Sequence, residues 1–347
     1  MKTIDLRSDT VTHPTSEMRK AMTEAEVGDD VFGEDPSVNR LQAMAADRMG
    51  KEAALFVPSG TMGNLAAVLA HCGRGDEMIL GDLSHTFLYE AGGAAALGGV
   101  HPRTITTQPD GTLPLEAIEA AIRDDDVHHP RSRLICLENT HNRCGGSVLS
   151  VEYIRRVGEL SKRQGLRLHV DGARIFNAAA ALRIPARDLV APADSVTFCL
   201  SKALCAPVGS VLCGDESFIR QARRVRKQLG GGMRQAGILA AAGIVALETM
   251  IERLAEDHER ARRLAAGLKR IRGIHVETDP PASNMVYFQL PQDLPMSADD
   301  LAERIGSEGV LIHGVGPRKV RLVVHYWISD EDVERTLSAF EKAMQAM

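Results

Sequence analysis

Between residues 53 and 235 the sequence alternates short apolar runs with segments of helical periodicity, and few folds accommodate that pattern. Candidate strands are Ala53–Val57, Met78–Leu80, Leu134–Leu137, Leu168–Val170, Ser195–Leu200 and Val208–Cys213, and candidate helices include Met62–His71, Leu115–Ile122 and Val151–Gln164. Strands that read as unbroken apolar runs between amphipathic helices bury both faces of their sheet. The alternation therefore predicts an α/β fold, with a large domain built on a mixed, mainly parallel sheet flanked by helices. In such sheets binding groups collect just beyond the carboxyl ends of the strands.

The pattern changes after about residue 245. Leu254, Ala261, Leu264 and Leu268 share one helix face, and strand-like runs follow at Met285–Leu290 and Val320–Val324. A last helix is expected from Ser329, whose hydroxyl suits a cap, with Val333, Leu337, Phe340 and Met344 on its apolar face. These features predict a smaller C-terminal α/β domain. The expected division is an arm over residues 1–40, a large domain over 41–245 and a small one over 246–347. The arm is polar and turn-rich, acidic from Glu24 to Asp35, and reads either as a solvated extension or as a cover over a neighbouring site.

Charge and motif content narrow the function. Lys and Arg number 41 against 46 Asp and Glu, a formal net charge of −5, and the two signs are interspersed. No basic stripe marks a nucleic-acid or anionic-membrane partner. No apolar run approaches the ~18 residues of a membrane span. The first residues, MKTIDLRSDT, lack the apolar stretch of a secretory signal. Six cysteines without a C-x-x-C pair support neither a disulfide scaffold nor a zinc ribbon, so a cytoplasmic protein is expected. No G-x-G-x-x-G follows a strand, no phosphate-binding G-x-x-x-x-G-K-[ST] occurs, and neither G-x-S-x-G nor H-E-x-x-H is present.

Three features at strand ends carry chemistry. Pro58-Ser59-Gly60-Thr61 precedes an apolar helix, and a Gly-Thr turn at a helix start offers backbone N–H groups and a hydroxyl to an anion. Leu168-His169-Val170-Asp171 is a buried-type strand ending in an acid, and Val196-Thr197-Phe198-Cys199-Leu200-Ser201-Lys202 is a β-rich run ending in a lysine. Taken singly, the first two are ordinary helix caps and the third a surface lysine. Together they fit pyridoxal phosphate: a phosphate at the helix start, an acid that keeps a pyridine nitrogen protonated, and a lysine that forms a Schiff base in an apolar setting.

Longer motifs carry a resemblance. Ile4-Asp5-Leu6-Arg7-Ser8-Asp9-Thr10-Val11-Thr12, the segment Glu26 to Pro36 (EVGDDVFGEDP), His169-Val170-Asp171-Gly172-Ala173-Arg174, Ala206-Pro207-Val208-Gly209-Ser210 and Gly230 to Gly237 (GGGMRQAG) resemble the L-threonine aldolases, pyridoxal-phosphate enzymes of the aspartate-aminotransferase fold, fold type I. The resemblance spans essentially the whole chain. It implies that Lys202 carries the internal aldimine with Ser201 beside it, and that Asp171 pairs with the pyridine nitrogen. Gly60 and Thr61 would hold the phosphate, His85 would stack on the ring, and Arg174 would serve both the cofactor's phenolic oxygen and the substrate. Lys227 and Arg234 would reach the cofactor region of a neighbouring subunit, and Ser8 and Arg321 would clamp the substrate's α-carboxylate. His128 corresponds to a second family histidine near the substrate hydroxyl, and His141 is a further histidine near the site. No metal is implied.

The implied reaction is retro-aldol cleavage of L-threonine, L-allo-threonine or a related β-hydroxy-α-amino acid to glycine and an aldehyde, through a quinonoid carbanion. The base is left open among His85, His128 and a water. A homo-oligomer, a dimer of dimers with shared sites, is also implied. Two stretches depart from the family. Ala203 and Cys205 stand where glycines are usual, and Arg143-Cys144-Gly145-Gly146-Ser147 is longer than the family pattern. The rival readings are another enzyme of the same fold, such as a β-eliminating lyase or an aminotransferase, and a catalytically silent cofactor-binding protein.

Overall fold

The computed structural model describes residues 2–345. β1 (Ile4–Asp5) opens the described chain. The apolar runs then become β2 (Ala53–Val57), β3 (Glu77–Gly81), β4 (His101–Ile105), β5 (Ser132–Glu138), β6 (Arg167–Asp171), β7 (Ser195–Cys199) and β8 (Ser210–Gly214). These seven form one sheet in the order β2-β8-β7-β6-β5-β3-β4. β8 runs antiparallel to both its neighbours, and the remaining pairs are parallel. The mixed, mainly parallel sheet is the one the alternation predicts. β4 is the strand the sequence hid, because His101-Pro102-Arg103-Thr104 is polar and carries a proline. At a sheet edge, paired only with β3, a missing N–H is tolerated.

Helices α1 (Ser16–Thr23) and α2 (Pro36–Met49) precede the sheet, and α3 (Gly60–His71), α4 (His85–Leu88), α5 (Gly93–Ala96), α6 (Leu115–Ala121), α7 (Val151–Arg163), α8 (Ile175–Leu182), α9 (Ala186–Val190), α10 (Glu216–Gln228) and α11 (Gly237–Val245) connect and cover its strands. α3 starts two residues earlier than its apolar periodicity suggests, because Ser59 accepts the Met62 N–H and so caps the first turn. Its Gly60 and Gly63 lie against β7. A Cβ on Gly63 would stand 2.6 Å from Thr197 Cγ2, and one on Gly60 2.9 Å from Cys199 Sγ. Only glycine lets the helix sit that close.

The acidic stretch is not a separate arm. Residues 13–40 pack within the large unit, which comprises residues 13–144 and 148–251. Its carboxylates have assigned work. Asp35, fully buried, caps α2 through the Val38 N–H (2.9 Å) and also accepts the N–H groups of Gly28 (3.2 Å) and Gly237 (2.8 Å). Asp30 meets Arg226 at 2.6 Å with both side chains buried, and Arg226 donates a second bond to the Phe56 carbonyl.

Of the described residues, the smaller unit gathers 2–12, 145–147 and 252–345. Residues 2–12 join it because β1 pairs in parallel with β11 (Val310–Leu311). β9 (His275–Val276), β10 (Met285–Gln289), β12 (His313–Gly314) and β13 (Lys319–Val323) form an antiparallel sheet in the order β12-β13-β10-β9. α12 (Leu254–Leu268), α13 (Ala298–Ser307) and α14 (Asp330–Gln345) bury Leu264, Leu268, Leu301 and Phe340 in a core shared with Ile4, Val286 and Phe288. Ser329 caps α14 as expected, with Asp332 returning the bond to the Ser329 N–H. Among the described residues, no helix is long and apolar enough to cross a membrane.

Replacing Asp35 with alanine removes a helix cap and orphans the buried Gly237 N–H. A loss of about 2–4 kcal/mol is expected, read as a lowered midpoint in chemical denaturation.

Candidate active site

The carboxyl ends of β2, β3, β6 and β7 bring together the anion turn, one of the histidines, the acid and the lysine. At the end of β2, the first turn of α3 presents the N–H groups of Gly60 and Thr61. The Met62 N–H is taken by Ser59 Oγ and the Gly63 N–H by the Ser59 carbonyl, so those two remain for an anion. Asp171 ends β6, is 4% exposed, and accepts bonds from Asn64 Nδ2 (2.8 Å) and the Ala173 N–H (3.1 Å). Arg174 is buried three residues on, immediately before α8.

Lys202 lies in the loop leaving β7, half-buried beside half-buried Ser201. The loop is drawn tight by bonds from the Cys205 N–H to the Lys202 carbonyl (2.9 Å) and from the Ala206 N–H to the Leu200 carbonyl (3.1 Å). Cys205, one of the two residues standing where glycines are usual, holds a φ of +63° and is fully buried. A side chain in that left-handed region costs about 1–2 kcal/mol.

His85 begins α4, with its N–H donated to Glu138 Oε2 (2.7 Å) and its Nδ1 2.9 Å from Glu90 Oε1. Burial disfavours charge on the imidazole. The Glu90 hydrogen bond and the negative charges of Asp171 and Glu90 outweigh that, and the nearby Lys202 ammonium opposes them in part, so the pKa of His85 is raised. Glu90 is itself pushed up, by burial first and then by the charge of Asp171, despite bonds from His85 and Asn64. His85, Glu90 and Asp171 bring ligand-type atoms within 4.8 Å of one another.

The donor set fits pyridoxal phosphate. A helix start with two uncommitted N–H groups suits the phosphate, a buried carboxylate suits a ring nitrogen that must stay protonated, and an amine lies close enough to His85 to affect its titration.

Three expected residues lie elsewhere on the large unit, and two more belong to the smaller one. His128 is not brought to this cluster by its own chain. It precedes β5, at the amino edge of the sheet, whereas Glu138 and Asp171 mark the carboxyl edge, about 20 Å away along the strand. Its side chain is 83% exposed and is held at 2.6 Å by Asp126, two residues back. Lys227 and Arg234 are exposed. Arg234 pairs with Asp29 at 2.8 Å, and the Lys227 side chain folds back over Gly232. Ser8 and Arg321 belong to the smaller unit. There Arg321 Nη2 donates to the Arg7 carbonyl (3.1 Å), next to Ser8, whose hydroxyl accepts the Thr10 N–H. His141 is buried on the loop after β5, and among the described residues its Nδ1 has no hydrogen-bond partner.

Sequence reasoning missed Asn64, Glu90 and Glu138. A lone asparagine in the apolar run Leu65-Ala66-Ala67-Val68 was a readable signal, because a polar side chain on a buried face must be hydrogen-bonded. Glu90, five residues after His85, had no comparable signature.

Glu90→Gln keeps an acceptor for His85 Nδ1 but removes its charge. The histidine then titrates at lower pH than in the parent, as NMR of labelled histidines reads directly. An unchanged titration would remove Glu90 as the source of the upward shift.

Residues 5–291 match the β-eliminating lyase family. The chain is 52% identical to low-specificity L-threonine aldolase 1 of Arabidopsis thaliana, over 100% of this chain and 98% of the plant protein. It is 47% identical to the low specificity L-threonine aldolase of Escherichia coli strain K12, over 95% and 96% of the two chains. The threonine aldolase structure of Leishmania major superposes with a TM-score of 0.83 at 20% identity, covering 98% of this chain and 99% of that one, a likeness of fold. With the cluster at the sheet's carboxyl edge and relatives matched from end to end, the chain belongs to the threonine aldolase family, within the β-eliminating lyases of fold type I.

Proposed function

We propose that this protein cleaves L-threonine, L-allo-threonine and related β-hydroxy-α-amino acids to glycine and an aldehyde, with pyridoxal 5′-phosphate as cofactor. The observation that carries the reading is the convergence of Lys202, Asp171 and His85 at one sheet edge, in a chain about half identical to low-specificity L-threonine aldolases.

When bound, the cofactor supplies an aldehyde for the substrate's amine and a cationic ring that accepts the electron pair freed at the α-carbon. The protein's own groups do the rest. Gly60 and Thr61 would hold the phosphate, Lys202 Nζ would be the anchoring amine, Asp171 would hold the proton on the ring nitrogen, and Arg174 would serve the phenolic oxygen and the substrate. His85 is the proposed base for the β-hydroxyl proton. Its Nδ1–H is directed at Glu90, which leaves the Nε2 lone pair for the substrate, and the carboxylate stabilises the imidazolium that forms. A raised pKa strengthens the base but confines its neutral form to higher pH, so activity is expected to rise with pH through the His85 titration. Arg321, with Ser8, is assigned the α-carboxylate. That grip chooses the bond that breaks, because the Cα–Cβ bond must stand perpendicular to the ring.

The assembly proposed is a dimer of dimers in which Lys227 and Arg234 serve a neighbouring subunit's site. His128, exposed on its own chain, acts near a substrate only from such a neighbour. The location proposed is the cytoplasm, which suits six free cysteines.

Purified protein supplied with L-threonine, L-allo-threonine or β-phenylserine should release glycine and the matching aldehyde, whereas pyruvate and ammonia from serine would instead identify a β-eliminating enzyme. Lys202→Ala should abolish turnover while leaving the fold intact, and glycine release at the parental rate would overturn the assignment. Arg321→Lys should lower kcat/KM about tenfold or more by losing the two-pronged fork, and parental kinetics would take Arg321 out of the site.

A further inference from the structure

Behind Asp171 lies a row of buried polar side chains that the reaction above leaves without a role. Asn64 Nδ2 is 2.8 Å from Asp171 Oδ2 and 2.8 Å from Glu90 Oε1. Asn64 Oδ1 is 3.2 Å from His169 Nε2, His169 Nδ1 is 2.8 Å from Ser195 Oγ, and Ser195 Oγ is 2.8 Å from His71 Nε2. Asn64, His169 and Ser195 are each at most 2% exposed.

One assignment of their protons gives every one of these bonds a donor and an acceptor. If the Asn64 amide were flipped, its oxygen would face two carboxylate oxygens, so the NH2 group must point to Asp171 and Glu90, one hydrogen to each. The amide oxygen then needs a donor, and His169 Nε2–H is the group within reach. Burial holds His169 neutral, with a pKa lowered to about 4, so its Nδ1 is an acceptor and takes the Ser195 hydroxyl hydrogen. The spent Ser195 oxygen accepts from His71 Nε2–H. His71 is neutral as well, with a pKa lowered to about 3 by burial first and then by His169. In that assignment the chain runs from His71 through Ser195 and His169 to Asn64, whose two amide hydrogens go to the two carboxylates.

We propose that Asn64 is a positioning residue for the reaction: at the end of this buried polar chain, its amide fixes the Asp171 carboxylate that faces the cofactor's ring nitrogen and, with the same NH2 group, the Glu90 carboxylate that orients His85. One side chain thus sets both the group that keeps the ring cationic and the group that directs the base. Its place follows from α3. Asn64 is one turn after Gly60, so the face of the helix that takes the phosphate also meets β6, where His169 and Asp171 project on one side. The inference rests on the proposed function above.

The test compares the parent holoenzyme with Asn64→Asp and Asn64→Ala. The aspartate has nearly the shape of asparagine, so it preserves packing but sets a third acid between Asp171 and Glu90. Three quantities are read: the dissociation constant for pyridoxal phosphate, the pH titration of the bound cofactor's visible absorption, and kcat and KM across pH. Expected for Asn64→Ala are weaker cofactor binding, a displaced absorption titration and a kcat lowered on the order of tenfold to a hundredfold, the range seen when a group orienting an active-site ligand is lost, with KM changed much less. Asn64→Asp should be the worse of the two, with its pH profile moved to the acid side, where a protonated carboxyl can donate again.

A purely structural role predicts a lower melting temperature with parental kcat and pH profile per active site, and that result would overturn the proposal. So would an Asn64→Asp enzyme that keeps the parental profile. Should the parent itself release no glycine, the aldolase reading fails, while the cofactor-affinity and absorption readouts still report on Asn64.

Discussion

The close approach of α3 to β6 and β7 is the constraint on which the site rests. Two glycines remove the side chains that would hold the helix off the sheet, at Cys199 and Thr197. With the helix seated there, its first turn reaches the anion position while Asn64, one turn on, reaches the floor of the site. A helix displaced by even a methyl group would separate those two tasks, because protein interiors pack too densely to absorb the shift locally.

Charge is handled by pairing throughout the large unit. Asp30 and Arg226 are both buried and bonded to each other, an arrangement in which removing either partner leaves a stranded ion. At the site the balance is less even. Asp171 and Glu90 are two buried acids sharing one amide, with a histidine and a lysine as the nearby bases. Such crowding moves titrations away from their ordinary positions and is typical of groups that exchange protons during a reaction.

Much of this was legible in the sequence. The alternation from Ala53 to Cys213 gave away the sheet, and helix α3, helix α7 and the Ser329 cap followed from periodicity and capping chemistry. β4 was hidden because an edge strand tolerates polar residues and proline, so nothing in His101-Pro102-Arg103 announces it. The acidic stretch misled for a different reason: composition counts carboxylates but does not say that Asp30 and Asp35 point inward to partners some 200 positions away. Of the site, the phosphate turn, Asp171 and Lys202 could be read because each starts a helix or lies at or just past the end of a strand. Glu90 and Glu138 could not, since their meaning comes from contacts with His85 made across loops. His128 shows the converse, a residue whose motif suggests a role that its own chain's geometry does not supply.

The stapling of the first forty residues bears on how the chain is made. Asp35 can cap α2 as soon as Val38 has been synthesised, but its bond to the Gly237 N–H spans 202 positions, and the β1 pairing with Val310 spans more still. Synthesis proceeds from the amino end at roughly 5–20 residues per second, so the opening segment must wait many seconds for its partners. This segment is thus made well before the partners that hold it, and it is among the last parts of the described chain to find its final place.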